Sequence, residues 1–304
     1  MDSINQKISI WVSAIRLRTL PLSISGIILA SCLAYYNGVF KWEIFVLAIL
    51  TTLSFQILSN LANDYGDGVK GTDNENRIGP ERAIQSGKIS PEELYNAIKI
   101  NVLISIGLAF ALIFLALGTK HFWLTMTFFV LGVASVGAAL RYTIGKNAYG
   151  YRGLGDIFVF AFFGLVSVIG CYVLYAKQLD HVTFLPAITI GLLSTAVLNL
   201  NNMRDRQSDE QSNKITLAVK LGEKSVKLYH NFLIILAMGS SGLFGVLYYT
   251  SPFNLIFAVA YLPLIFHLKK VNTTENPKNL DPELKKLALT TVVLAILMGI
   301  GHLF

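Results

Sequence analysis

Charge is scarce in this 304-residue chain. Only 14% of its residues are charged, against 54% hydrophobic, and the mean hydropathy is +0.57. A soluble domain carries about a quarter charged residues, so folding in water would leave far too much apolar surface exposed. Hydrocarbon as solvent removes that difficulty, since a span needs about 20 apolar residues at 1.5 Å rise. Cysteine is almost missing. Cys32 and Cys171 lie in apolar runs with no CxxC pair and no metal-ligand spacing, which leaves them as small lipid- or core-facing residues. The five histidines, His121, His181, His230, His267 and His302, are scattered without a pair at ligand spacing and are expected to be interfacial or packed. Barrel-type alternation is missing too, so helices are the spanning elements. No segment is of low complexity or separable as a soluble domain.

What is there is a series of apolar runs at roughly 19–39, 44–63, 95–117, 122–141, 154–176, 183–203, 228–249, 252–270 and 286–304. These make an all-α integral membrane protein of nine transmembrane helices around a central cavity, with short helices in cytoplasmic caps. Residues 1–304 form one polytopic domain. Short links alternate with the long links 64–94, 142–153, 204–227 and 271–285. Of the 25 Lys and Arg residues, only Lys41, Lys120 and Lys177 fall on the side of the short links; of the 18 acidic residues, only Glu43 and Asp180 do. Positive charge inside places the N-terminus and long links in the cytoplasm and Phe304 on the far side. The pI near 9.3 follows from this segregation and calls for no nucleic acid. Arg16 and Arg18 ahead of Leu29-Ala30-Ser31-Cys32 imitate a lipoprotein signal, but the many later spans favour a retained first helix.

Helix punctuation fits this division. Ser90-Pro91-Glu92-Glu93 reads as a cap with Pro at the first position and a capping-box Glu, and Asp281-Pro282-Glu283 as the same device before the ninth span. Gly79-Pro80 to Gly87 reads as a short helix within the first long link.

Chemistry concentrates in two clusters that repeat an N-x-x-x-D pattern, at 60–73 and 201–209. The first contains Asn60, Asn63, Asp64, Asp67, Lys70, Gly71 and Asp73; the second, Asn201, Asn202, Arg204, Asp205 and Asp209. Asn63 and Asp67 share a helix face, as do Asn201, Asp205 and Asp209. An isolated carboxylate next to hydrocarbon costs several kcal/mol, so five aspartates at two helix ends call for cations. Oxygen ligands without His or Cys suit Mg²⁺, which takes few carboxylates and completes its octahedron with phosphate oxygens. Asn63, Asp64, Asp67, Asp73, Asn201, Asp205 and Asp209 are therefore the candidate metal ligands, with Asp67 and Asp205 central. Lys70, Lys88, Arg204 and Lys214 flank them as candidates for a diphosphate. Ordinary solvated helix ends would explain either cluster alone, but less well two alike on one side.

Around these clusters, Asn60 and Arg141 are candidate substrate contacts, and Lys146 contacts diphosphate or acceptor. Tyr142 and Tyr149 either face a cation through their rings or serve as interfacial tyrosines. Asp156, the acid opening the fifth span, either orients an acceptor or favours a helix N-terminus. Gly132 to Ala139 is a small-residue stripe that close helix packing explains.

Both clusters resemble the aspartate-rich motifs of the UbiA superfamily of intramembrane aromatic prenyltransferases. The branch acting on 1,4-dihydroxy-2-naphthoate for menaquinone biosynthesis is the most similar. That narrower likeness rests on Asn63-Asp64-Tyr65, Lys70-Gly71-Thr72-Asp73, Arg77-Ile78-Gly79-Pro80, Gly150 to Asp156 with Phe162-Phe163-Gly164, and Lys214 to Gly222. One departure is Gly71 where the commoner spacing has a further Asp; Asp73 follows two residues later and is the less certain ligand. The resemblance implies a bacterial inner-membrane, Mg²⁺-dependent transferase acting on a polyprenyl diphosphate and an aromatic acceptor, with catalysis at Asp67, Asp205, Lys146 and Tyr142. Another acceptor, such as 4-hydroxybenzoate, is the nearest alternative. A secondary transporter, the reading from another class, requires acids near the bilayer midplane, and a structural subunit gives no reason for paired clusters.

Overall fold

Ten helices carry the fold in a computed structural model that describes residues 2–73 and 78–304. They are α1 (Asp2–Ile15), α2 (Leu20–Tyr36), α3 (Trp42–Val69), α4 (Pro91–Leu117), α5 (Phe122–Arg141), α6 (Gly155–Ala176), α7 (Phe184–Gln211), α8 (Leu217–Leu247), α9 (Pro252–Thr273) and α10 (Asp281–Gly301). Among the described residues nine helical stretches are long and apolar enough to cross a membrane, the first running through Ile8–Tyr36, and none is a strand. The chain is thus a polytopic membrane protein. Its outward faces carry Leu103, Phe110, Trp123, Val130, Val246 and Val259, all exposed, as lipid solvation requires.

The centre of the bundle is α7, flanked by α6, α8 and α10, with α2 packed between α10 and α3 and α4 lying along α3. Leu193, Ile190, Ala196 and Leu200 of α7 are fully buried. Close approach is by small residues: a Cβ on Gly164 of α6 would fall 2.6 Å from the Ala187 carbonyl oxygen and 2.7 Å from the Gly191 Cα of α7. Along Phe160–Gly170, α6 widens to π-type turns, where it lines the cavity described below.

The start of α4 forms as its sequence directs. The Glu93 N–H donates to the Ser90 hydroxyl, and the Ser90 N–H donates to the Glu93 carboxylate at 2.9 Å. Two other local readings are corrected. Residues 79–82 are irregular and 83–87 make hydrogen-bonded turns, closed by Gly87 at φ +67°, because the one i→i−4 bond, Ser86 to Arg82, is not propagated into a helix. Asp281 and Glu283 do not cap α10. A turn at Pro277–Leu280, capped by Asn276, starts it instead, and both acids bond to side chains of other helices. Arg77 lies outside the described residues. Both cysteines are unpaired; Cys171 is buried on the cavity wall and Cys32 packs against Gly299.

Candidate functional site

One cavity of about 930 Å³ opens between α2, α3, α4, α5, α6, α7 and α10. Along α3 its wall runs from Asp67 to Ala48, about 28 Å at 1.5 Å per residue. The end near Asp67 is polar. Asp67 and Asp73 from the first motif and Asp205 and Asp209 from the second all line it, with Asn60, Asn63, Asn201 and Asn202. The rest is mainly apolar, with Phe128, Leu131, Phe158, Phe162, Leu112 and Leu174 among its walls and scattered hydroxyls such as Thr51 and Ser167 between them.

Two helix ends produce the polar rim. Asp67 occupies the last turn of α3, and Asp205 and Asp209 the last two turns of α7, so all three lie at helix ends rather than mid-helix. The α3 end is seated by Gly66, where a Cβ would stand 2.5 Å from Thr143 Oγ1 and 2.8 Å from the Thr143 backbone carbon. Thr143 in turn donates its hydroxyl to the Ala62 carbonyl at 2.8 Å. Gly66→Ala is expected to cost about 1–3 kcal/mol through this overpacking and to lower activity by displacing Asp67. Thermal unfolding read together with turnover checks it; an unchanged melting point overturns it.

Lys214 ties the motifs together. Its ammonium lies 3.1 Å from Asp67 Oδ2 and 3.7 Å from Asp209 Oδ1. Burial works against that charge, but Asp67 and Asp209 overcome it and hold the lysine above its ordinary pKa. A cation thus sits between carboxylates from the two halves of the chain. The other oxygen of Asp67 accepts from the Tyr151 hydroxyl at 2.7 Å, which also meets Thr72 Oγ1 at 2.6 Å. Burial first, then the Asp67 charge, push the Tyr151 phenol above its ordinary value, so it remains a donor.

Several candidates from the sequence take places other than the wall. Asp64 is buried away from the cavity, with Oδ2 accepting from the Ala83 N–H at 3.3 Å. Arg204 is sunk between helices: Nε and Nη2 donate to Asp205 at 2.8 and 2.7 Å, Nη2 also reaches Asn201 Oδ1 at 2.9 Å, and Nη1 pairs with Asp281. Lys70 donates to the Thr143 carbonyl at 2.7 Å and lies 4.0 Å over the Tyr151 ring, so it fastens the 142–153 link to α3. Burial lowers its pKa, with Asp67 opposing and Lys214 adding to the effect. Asp156 accepts from Tyr229 at 3.3 Å behind the wall. Arg141, Lys146 and Lys88 are exposed and outside the wall. Asn60 lines the cavity but also donates to the Ile15 carbonyl at 2.8 Å and to Thr19 Oγ1 at 3.0 Å, pinning the α1–α2 junction. Tyr142 and Tyr149 line it edge to face at 5.3 Å, and burial raises both phenols, so each presents a neutral ring.

The sequence reading missed others. Arg16 and Arg18 reach the wall because the chain turns at Arg16 with φ +58° between α1 and α2. Arg82 comes from the 79–87 segment and stands 3.9 Å from Asp73. Asp281, Lys285 and Lys286 come from the start of α10. Lone basic residues in links carry no spacing signal, and of the α10 group the sequence singles out only Asp281, as helix punctuation. His230 and His267, expected to be interfacial or packed, are buried and meet Nε2 to Nε2 at 2.9 Å, a contact that their spacing did not indicate.

The donor set fits a hard cation. Carboxylate and amide oxygens from both motifs line one cavity end and Lys214 holds a positive charge between two of them, while among the described residues no three His, Cys, Asp or Glu side chains, these aspartates included, are gathered closely enough to hold an ion. Residues 24–300 match the UbiA prenyltransferase family. The chain is 40% identical over 302 residues to 1,4-dihydroxy-2-naphthoate octaprenyltransferase of Haemophilus influenzae, covering 99% of this chain and 97% of that one. It is 39% identical over 291 residues to the Escherichia coli protein of that name, covering 96% and 94%. A UbiA homolog from Archaeoglobus fulgidus, solved bound to GPP and Mg²⁺, shares the fold at a TM-score of 0.60 and 13% identity, with 93% of this chain and 98% of that one covered.

Proposed function

The chain belongs to the UbiA prenyltransferase family, and we propose that it transfers a polyprenyl group from an all-trans polyprenyl diphosphate to 1,4-dihydroxy-2-naphthoate in a bacterial inner membrane. The observation that carries this reading is a single cavity with carboxylates of both motifs at one end and a long apolar wall beyond them. A diphosphate belongs at the first and a prenyl tail along the second.

Asp67, Asp73, Asp205 and Asp209, with Asn63 and Asn201, would hold Mg²⁺, which would supply positive charge to the departing diphosphate. Lys214, Arg82, Arg16 and Arg18 add fixed positive charge at the same end. The allylic carbon–oxygen bond breaks with its electron pair going to diphosphate. The ring carbon bearing the carboxylate then bonds to the allylic carbon. The carbon–carbon bond to that carboxylate breaks, its pair returns to the ring, and CO2 leaves, so the reacting ring carbon needs no base. Tyr142 and Tyr149 present neutral rings beside the polar end, where their faces favour the allylic cation. Phe158, Phe162 and Leu131 keep water from it. Asp64, Arg204, Lys70 and Asp156 act by holding the wall, and Lys146 and Arg141 add to the positive charge of the cytoplasmic face. The 60–73 and 201–209 motifs are two halves of a pseudo-repeat in one polytopic domain, with the N-terminus and polar end cytoplasmic and Phe304 outside.

Purified protein in lipid nanodiscs, given a prenyl diphosphate and carboxyl-labelled dihydroxynaphthoate, is expected to release labelled CO2 with prenylated quinol. Stripping divalent cations should stop transfer and Mg²⁺ restore it. Preference for 4-hydroxybenzoate, or full activity without divalent cations, overturns the acceptor or the metal respectively. A topology reporter fused after Phe304 should read outside the cytoplasm.

A further inference from the structure

Buried polar groups in a membrane bundle are retained at a cost, and one chain of them lies outside the aspartate site. It crosses four helices. Asn199 of α7 meets His230 of α8, Oδ1 to Nδ1, at 3.2 Å. His230 meets His267 of α9 at 2.9 Å, and His267 Nδ1 lies 2.8 Å from Glu283 Oε2 of α10. Glu283 Oε1 accepts from the Lys286 ammonium at 2.7 Å. His230, His267 and Glu283 are 0%, 4% and 3% exposed, whereas the Lys286 side chain is 68% exposed and lines the cavity. An ionised Glu283 can only accept, so His267 donates from Nδ1 and its Nε2 accepts from the His230 Nε2–H; the His230 Nδ1 then accepts from the Asn199 amide once its NH2, otherwise without a partner, is turned toward it. Every member is thereby fixed by its neighbours, and the one end that leaves the protein interior is a cation at the rim.

The same stretch of α10 is held from its other side. Asp281, two residues before Glu283, pairs with Arg204, which also grips Asp205 and Asn201. Apolar packing alone would seat α10 without burying a carboxylate and two imidazoles. The arrangement is explained if the place of Lys286 matters.

We propose that Lys286 contacts an anionic substrate group at the cavity rim, and that His230, His267 and Glu283 are positioning residues that set its place. This rests on the prenyl-transfer reading for the identity of the anion, which is either the diphosphate of the donor or the carboxylate of the acceptor. Lys286 supplies a charge-assisted contact to substrate, and the buried chain limits the positions its ammonium samples.

The test is a double-mutant cycle on detergent-purified full-length protein, with KM for donor and acceptor, kcat and melting point measured for each variant. Lys286→Ala is expected to raise KM for one substrate about three- to tenfold, as for a partly exposed charged contact, with kcat within about twofold. The substrate affected identifies the anion. Glu283→Gln keeps the shape and an acceptor for His267 but loses the charge facing Lys286; it should raise the same KM and add nothing in the Lys286→Ala background. Additive effects, or a fall in kcat and melting point with KM unchanged, would show a structural brace only and overturn the proposal. A prenyl thiodiphosphate, which ionises too slowly to turn over, separates this from the functional reading. If the wild type binds the analogue but makes no prenylated naphthol from the prenyl diphosphate itself, the reaction assignment fails; if Lys286→Ala leaves both its Kd for the analogue and the acceptor KM unchanged, the inference fails.

Discussion

Asp67→Asn is expected to reduce prenyl transfer by at least about 100-fold while the protein still folds, the scale of losing a charge-stabilising group at a reacting centre. Its Oδ1 accepts from Tyr151 and its Oδ2 faces the Lys214 ammonium, and both motifs meet at that point. Asparagine keeps the acceptor for Tyr151 but turns an amide NH2 toward a cation. Lys214 retains Asp209, so the loss falls on charge at the cavity end rather than on the helix. Asp205→Asn should behave alike, since the Arg204 that it partners keeps Asp281 and Asn201. Turnover of purified variants alongside circular dichroism decides it. Full turnover in both sinks the reading of the carboxylates as the diphosphate end, and loss of helical signal in both would make them fold determinants instead.

Arg204→Met should act in the opposite order, through stability first. Arg204 is the largest fully buried side chain, and its guanidinium links Asn201, Asp205 and Asp281. Deleting it leaves two carboxylates facing each other across α7 and α10 without the cation between them. Removing one partner of a buried ion pair costs about 3–5 kcal/mol. Asp281 is partly solvated, which puts the expected loss toward the lower end. Arg204→Lys should not restore it, because an ammonium cannot make the two-point contact to Asp205 and still reach Asp281. Thermal unfolding in a fixed lipid or detergent checks this, with wild-type melting in Arg204→Met as the contrary result.

These two aspartate neighbours show how far the sequence reading reached. Asn63, Asp67, Asn201, Asp205 and Asp209 were grouped by helical spacing alone, and the folded chain puts all five on one cavity wall. Asp64 and Arg204, included for their place in the clusters rather than by spacing, stay off that wall. Each is adjacent in sequence to a wall residue, yet a step of one residue turns a helix by about 100°, carrying the side chain to a different neighbour. For Asp64 that neighbour is the turn at Ala83, and for Arg204 it is α10. Tyr151 stood inside a stretch that carried the family likeness, but nothing in its own vicinity shows that a link 84 residues away delivers its hydroxyl to Asp67.

By itself the sequence determined what is set by solvent and by local period. Scarcity of charge required a membrane, apolar run lengths set nine spans, the lysine and arginine bias gave an expected direction, and four-residue spacing put carboxylates on helix faces. These are properties of segments, each legible without knowing its neighbours. Only the tertiary structure decided which polar groups meet. Lys214 stands between Asp67 and Asp209, Arg204 is spent on Asp281, and His230 finds His267 and Glu283 across three helices. In hydrocarbon a buried polar group must find its partner within the protein, and that partner is chosen by how the helices pack, a relation that no window of sequence contains.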